Sequence, residues 1–163
     1  MIALLLAVLA CPPGAVEVGA APPEGFEVAC EREGATGPDR REGPFRAWYD
    51  DGALAREAGY RAGRFHGRYV EYHRGGKRAR EGEYSDGERV GTWRFYFEDG
   101  KLEEECAYAK GARHGAFASF HANGKRKTAG RYCHGLQCGT WTTWAEDGAE
   151  LGKVDYGEVR LAP

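Results

Sequence analysis

Beyond one unbroken apolar run near the start, the aromatic residues of this chain return at a fixed interval. Rows of 24 residues beginning at Gly43, Gly67, Gly91, Gly115 and Gly139 align without insertion or deletion. They open GPFRAWYDDG, GRYVEYHRGG, GTWRFYFEDG, GAFASFHANG and GTWTTWAEDG. Column three is always aromatic (Phe45, Tyr69, Trp93, Phe117, Trp141), and so is column six (Trp48, Tyr72, Tyr96, Phe120, Trp144). Column eighteen is always tyrosine: Tyr60, Tyr84, Tyr108, Tyr132 and Tyr156. Glycine fills column one, column ten and, in the first four rows, column twenty-one. Internal periods of this length mark stacked repeats, and no row carries a helical period.

Each row reads as a β-hairpin. Columns two to seven form an aromatic, β-favouring strand. Columns nine and ten then read Asp-Gly, Gly-Gly or Asn-Gly, pairs that accept positive φ at both centres of a tight hairpin turn. A second strand runs to the tyrosine of column eighteen, and the column-twenty-one glycine turns the chain into the next row. Columns three and six are three apart, so a regular strand sends them to opposite faces. Either both faces are partly covered, or a bulge at the column-one glycine changes the facing. A lone hairpin is marginal in water, so neighbours must stack to bury the rings. The expected architecture is all-β: an elongated solenoid-like rod of antiparallel hairpins in repeats 43–66, 67–90, 91–114, 115–138 and 139–163. Two strands per repeat give a rod about 50 Å long.

The apolar run Ile2–Ala10 is too short to cross a bilayer, which takes about 20 residues. With Pro12-Pro13 directly after it, the run fits the apolar core of an export signal over residues 1–20. Two processing sites suit it: before Cys11, as in a bacterial lipoprotein whose cysteine is acylated, or after Val18-Gly19-Ala20. No Lys or Arg precedes the run, a departure from the usual signal that leaves a cytosolic chain as the third reading. Residues 21–42 are then left to cap the first repeat.

Composition narrows the function classes. The 163 residues hold 25 glycines and a formal net charge of −2, without the basic excess of a nucleic-acid binder. Five cysteines are present. With Cys11 acylated or removed, Cys30, Cys106, Cys133 and Cys138 remain, an even set that suits an oxidising compartment. Cys133 and Cys138 flank the turn His134-Gly135-Leu136-Gln137. Strands pairing across it bring them opposite each other, within reach of a disulfide. The rival is zinc on Cys133, His134 and Cys138, which lacks a fourth ligand. Cys30 and Cys106 lie rows apart and are not expected to pair within one chain; Cys106 reads as buried and inert. Lys77, Lys101 and Lys125 stack in column eleven and Glu57, Glu81 and Glu105 in column fifteen, either as partner-binding stripes or as a solvated, ion-paired face. No nucleotide, hydrolase or metalloprotease fingerprint occurs, and the expectation is a non-enzyme without cofactor or metal.

The segment Tyr60-x-x-Gly63-x-x-His66-Gly67-x-Tyr69-x-x-Tyr72 resembles a MORN repeat, and so does Tyr108-x-x-Gly111-x-x-His114-Gly115-x-Phe117-x-x-Phe120. The GxWxxxxxDG rows at Gly91 and Gly139 are similar to the bacterial variant found in proteins labelled YwqK-family antitoxins. The resemblance covers residues 43–156. It implies twisted hairpin arrays that scaffold protein contacts, with lipid-headgroup binding proposed for some members. The expected function is therefore non-catalytic docking of an unidentified protein partner at the bacterial cell envelope. The chain would be periplasmic, secreted, or held at the membrane by a lipid on Cys11. The alternatives are a lipid-headgroup binder and an antitoxin-like protein that neutralises a toxin.

Overall fold

A computed structural model describes residues 9–159. The chain is all-β, with twelve antiparallel strands ordered along the sheet as along the sequence. The strands are β1 Ala15–Ala20, β2 Glu27–Arg32, β3 Arg41–Trp48, β4 Leu54–Arg61, β5 Arg64–Tyr72 and β6 Arg78–Ser85. They continue as β7 Glu88–Tyr96, β8 Leu102–Ala109, β9 Ala112–Phe120, β10 Arg126–Cys133, β11 Leu136–Trp144 and β12 Glu150–Asp155. From β5 on, the odd-numbered strands start at Arg64, Glu88, Ala112 and Leu136, in step with the sequence rows. The fold divides into two compact units: one runs to Gly76 and includes Tyr84–Gly87, the other holds Lys77–Glu83 and everything from Glu88 on.

The tight turns lie elsewhere than the Asp-Gly pairs suggest. Ala62-Gly63, Lys110-Gly111 and His134-Gly135 each have positive φ at both residues. They join the directly paired Arg61 and Arg64, Ala109 and Ala112, and Cys133 and Leu136. The two-residue hairpin turn thus falls on columns twenty and twenty-one. The Asp-Gly turns are wider. In the first, Gly52 N donates to Tyr49 O and Tyr49 N to Ala53 O, and only Gly52, not Asp51, has positive φ. The aspartate caps the turn instead: Oδ1 of Asp51, Asp99, Asn123 and Asp147 accepts from the backbone N two residues on, at 2.8 to 3.0 Å. A short polar side chain competes for the backbone here, so column nine needs no left-handed φ.

Column three forms the core. Phe45, Tyr69, Trp93, Phe117 and Trp141 are all buried, Trp93 completely. Column eighteen packs edge-on against it: Phe45 to Tyr60 at 5.6 Å, Tyr69 to Tyr84 at 5.3 Å, Trp93 to Tyr108 at 6.3 Å and Phe117 to Tyr132 at 5.4 Å. Column six is half-buried on the other face. Register shifts between Ala58 and Tyr60, Cys106 and Tyr108, and Ala129 and Arg131 place bulges at the column-one glycines Gly67, Gly115 and Gly139, each with positive φ. Both alternatives read from columns three and six are therefore present together.

Ring size in column three is matched by column sixteen of the preceding repeat. Tyr69 lies opposite Ala58 and Phe117 opposite Cys106. The two tryptophans meet glycine: a Cβ on Gly82 would strike the Trp93 indole, and one on Gly130 the Trp141 indole. Each indole Nε1 then donates to the next carbonyl, Glu83 O or Arg131 O, at 3.1 Å.

At the N-terminal end, β1 pairs with β2 in continuous register from Ala15–Arg32 to Ala20–Glu27. Leu9 is buried with Val28 and Cys30, and Cys11, Ala15, Ala21 and Trp48 pack on them. Of the apolar run, only Leu9 and Ala10 fall inside the described residues.

Candidate functional site

The column-six face is where polar chemistry and half-buried rings meet. In the first unit Tyr72 donates its hydroxyl to Glu57 Oε2 at 2.8 Å, and Arg46 Nε reaches Glu57 Oε1 at 3.0 Å. In the second, Tyr96 donates to Glu81 Oε1 at 2.6 Å, Arg78 pairs with Glu81 at 3.2 Å, and Arg94 pairs with Glu105 at 2.7 Å. Burial, reinforced by the Glu81 carboxylate, raises the Tyr96 phenol to about 12, so it remains a donor at any physiological pH. The column-fifteen glutamates are thus held within the sheet as ion-pair and hydroxyl partners. In the last two rows Phe120 and Trp144 present apolar rings, half-buried.

Arginines cover the core rings on the opposite face. The Arg41 guanidinium sits 4.9 Å from the Phe45 centroid and 5.3 Å from Tyr60. Arg89 lies 4.5 Å over Trp93, and Arg113 5.5 Å over Phe117 and 5.2 Å over Tyr132. Cation–π contact of this kind strengthens where water is excluded. For Arg113, desolvation opposes the charge most. Hydrogen bonds from the guanidinium to the Tyr108 and Tyr132 hydroxyls, and the nearby Glu104 carboxylate, more than compensate, and its pKa is raised. Glu104, 2.7 Å from that guanidinium, is nevertheless raised because burial outweighs the pair.

Turns stack on turns. The column-eleven lysines Lys77, Lys101 and Lys125 donate Nζ to Asp99 O, Ala122 O and Asp147 O at 2.8, 2.8 and 2.6 Å. Arg74 pairs with Asp50 at 2.6 Å and lies 4.8 Å over Tyr49. That guanidinium, through its hydrogen bond and its charge, holds the Asp50 carboxyl below its ordinary value. The column-twenty-four histidines cap the next tight turn: His66 Nδ1 accepts from Asp86 N at 3.5 Å and His114 Nδ1 from His134 N at 3.3 Å.

The cysteines are distributed as follows. Cys133 and Cys138 form a disulfide with Cα atoms 5.8 Å apart. They are not directly opposite: Cys133 faces Leu136 and Cys138 faces Arg131, so the link runs diagonally across a two-residue turn. With both sulfurs bonded, neither can be a zinc thiolate, and no cluster of three or more metal-type ligands occurs among the described residues. Cys11 is joined to Cys30, Cα atoms 5.5 Å apart. The Cys11 sulfur that acylation needs is the one this bond uses, so the two fates exclude each other. Cys106 is a buried free thiol, pushed up to about 11 by burial. The Cys11–Cys30 pair escaped sequence reading because Cys11 was allotted to lipidation. The available signal was that Cys106, in a core column, is the odd thiol. Of the repeat-forming residues, Tyr108 is buried, Tyr60, Tyr84 and Tyr132 are half-buried, and Tyr156 is exposed.

No helix of the described residues is long and apolar enough to cross a membrane. The model for a MORN repeat variant matches residues 89–110, which span most of the β7–β8 hairpin. No curated protein matches the chain. That match supports a MORN repeat at this hairpin, and the succession of antiparallel hairpins fits a repeat-based scaffold.

Proposed function

We propose that the chain is a non-catalytic scaffold of the bacterial cell envelope that docks a protein partner on its column-six face. The observation that carries this reading lies in the first unit. There the chain's own Leu9, with Val28 and Cys30, packs against the column-six ring Trp48. A column-six ring thus takes apolar polypeptide as cover, and Tyr72, Tyr96, Phe120 and Trp144 present the same half-buried chemistry. Tyrosine and tryptophan are the side chains that anchor interfaces most often. The tyrosines are fixed by Glu57 and Glu81, which lowers the entropy lost on docking.

Charge favours a protein over anionic headgroups. Arg46 and Arg94 are paired with glutamates, the column-eleven lysines are spent on carbonyls, and the formal net charge is −2. The two disulfides support an oxidising compartment and weigh against a cytosolic, antitoxin-like role.

A photo-crosslinking residue at Arg94 on this face, compared with one at Lys110 in a tight turn, tests the reading in the source cells. Discrete protein adducts at Arg94 that disappear with Tyr96→Ala, and none at Lys110, are expected. Equal adducts at both positions would reject the face as the docking site.

A further inference from the structure

The strand at the C-terminal edge, β12, departs from every other second strand of the array. All six of its residues are exposed, and Val154 and Tyr156 are 54% and 49% exposed. Its column-sixteen residue is Val154, where earlier repeats place Ala58, Gly82, Cys106 and Gly130 to seat an incoming ring. A β-branched side chain leaves no such seat, so β12 is unsuited to a further aromatic repeat. Its glycine sits instead at Gly152, where an added Cβ would meet nothing within 4 Å.

The backbone of β12 is poised for pairing. Tyr156 N donates to Gly139 O on β11, and residues Gly152 to Asp155 run in unbroken register with Thr143 to Thr140. In an antiparallel ladder alternate residues bond to the same neighbour. Gly152 and Val154 therefore bond toward β11, and Lys153 and Asp155 aim their amides and carbonyls outward.

We propose that β12 is the pairing edge for a second copy of this chain, antiparallel across a two-fold axis at Val154. That register is self-complementary from Gly152 to Tyr156. Val154 meets the partner copy's Val154. Lys153 meets Asp155 and Asp155 meets Lys153, giving two ion pairs together with the outward backbone bonds. Tyr156 meets Gly152, the ring-over-glycine match that seats Trp93 on Gly82 and Trp141 on Gly130 inside the chain. Tyr156 already packs edge-on to Trp141 at 6.4 Å, so the core stripe continues across the axis. The local charges allow it. Lys153 lies 3.2 Å from Glu150 with both side chains about half exposed, and Asp155 Oδ1 accepts from Gly157 N, leaving Oδ2 for the lysine. A one-strand contact buries little area, which places the dimer among weak interfaces. The inference does not depend on the docking face proposed above, since β12 is a strand edge.

Sedimentation equilibrium of the full chain into the submillimolar range tests it. The mass is expected to approach twice that of the chain and stop there. Lys153→Asp sets Asp against Asp, and Asp155→Lys sets Lys against Lys; like charges directly opposite repel, and each variant should weaken association on the order of tenfold or more. The double exchange Lys153→Asp with Asp155→Lys restores both pairs and the dimer. A one-to-one mixture of the two single variants should also dimerise, because each then supplies the charge the other lacks; misfolded chains would not do this. A monomeric wild type, single variants that associate like it, an unrescued mixture, or a mass growing past two chains would each overturn the proposal.

Discussion

Replacing Gly82 with alanine adds one methyl group beneath the indole of Trp93. The new Cβ would lie 2.7 Å from the ring Cγ and closer still to Cδ2 and Cε2. The ring cannot slide freely, since Trp93 is fully buried and its Nε1 is bonded to Glu83 O at 3.1 Å. If the ring stays and strains its surroundings, overpacking costs about 1–3 kcal/mol. If it leaves, the loss approaches that of truncating a core aromatic, about 3–5 kcal/mol, with about 1 kcal/mol more for the hydrogen bond. Gly82 is not among the positive-φ glycines, so the reduced freedom of the unfolded chain returns about 0.4–1 kcal/mol. The net expectation is a destabilisation of about 2–4 kcal/mol. Urea unfolding followed by circular dichroism measures it independently of the indole being moved. The double variant Gly82→Ala with Trp93→Phe should recover much of the loss, because Cys106 already seats Phe117 and Ala58 seats Tyr69. A coupling of about 1–3 kcal/mol is expected from the cycle. A single variant within about 0.5 kcal/mol of wild type, or a double variant no better than the sum of its parts, would refute size matching between columns sixteen and three.

Other expectations follow from the turns, the sulfurs and the protons. Ala62 adopts φ 47° without a favouring side chain, so Ala62→Gly should stabilise by about 1 kcal/mol in the same unfolding assay. Cys106→Ser should leave the mass drop on oxidation unchanged. In the wild type, Cys106 should resist iodoacetamide at pH 8 until denaturant is added, since its thiol is buried and held protonated up to about 11. The folded state binds the Cys106 and Tyr96 protons more tightly than the unfolded chain does, with values of about 11 and about 12. Their contribution is thus whole below pH 9 and lost as pH rises through that range, visible as a falling unfolding midpoint between pH 9 and 12. Cutting the Cys11–Cys30 bond with Cys30→Ser should cost about 3 kcal/mol for so long a loop, and Cys133→Ser about 2 kcal/mol. Intact mass of the native protein also decides between the Cys11 disulfide and an acyl group, because only one can occupy that sulfur.

Much of the fold was legible because the sequence restates it in every row. Invariant rings in columns three, six and eighteen could serve nothing but a stacked array, while the three-residue offset between columns three and six left open whether both faces are covered or a bulge changes the facing. The turns were harder. Asp-Gly looks the same whether both residues turn with positive φ or the aspartate caps a wider loop, and it takes the φ of Asp51 and the bond from Ala53 N to Asp51 Oδ1 to separate the two. The true tight turn falls on Ala62, Asp86, Lys110 and His134, and of these only Asp86-Gly87 carries the Asp-Gly signature, while Ala62 and Lys110 do not advertise left-handed backbone. Column fifteen was legible as charge but not as partnership, since the arginines and tyrosines that hold Glu57, Glu81 and Glu105 come from three different columns. The Cys11–Cys30 pairing was not legible because a short apolar run beside a cysteine reads as processing, and nothing in the sequence says that Leu9, Val28 and Cys30 form a cluster with Cys11 packed on it.

The seating of rings on small residues limits how such a chain can lengthen or shorten. Each matched pair straddles a row boundary, with the seat in one row and the ring in the next. Removing residues 67–90 alone would bring the Trp93 indole down on Ala58, and removing 91–114 alone would leave Phe117 above the bare Gly82. Removing 67–114 instead sets Phe117 over Ala58, a ring close in size to the Tyr69 that Ala58 already seats, and removing 91–138 sets Trp141 over Gly82, the tryptophan-on-glycine match already present in the chain. Viable gains and losses therefore come two rows at a time. The unit this gene can duplicate without penalty is 48 residues, twice the period its glycines display.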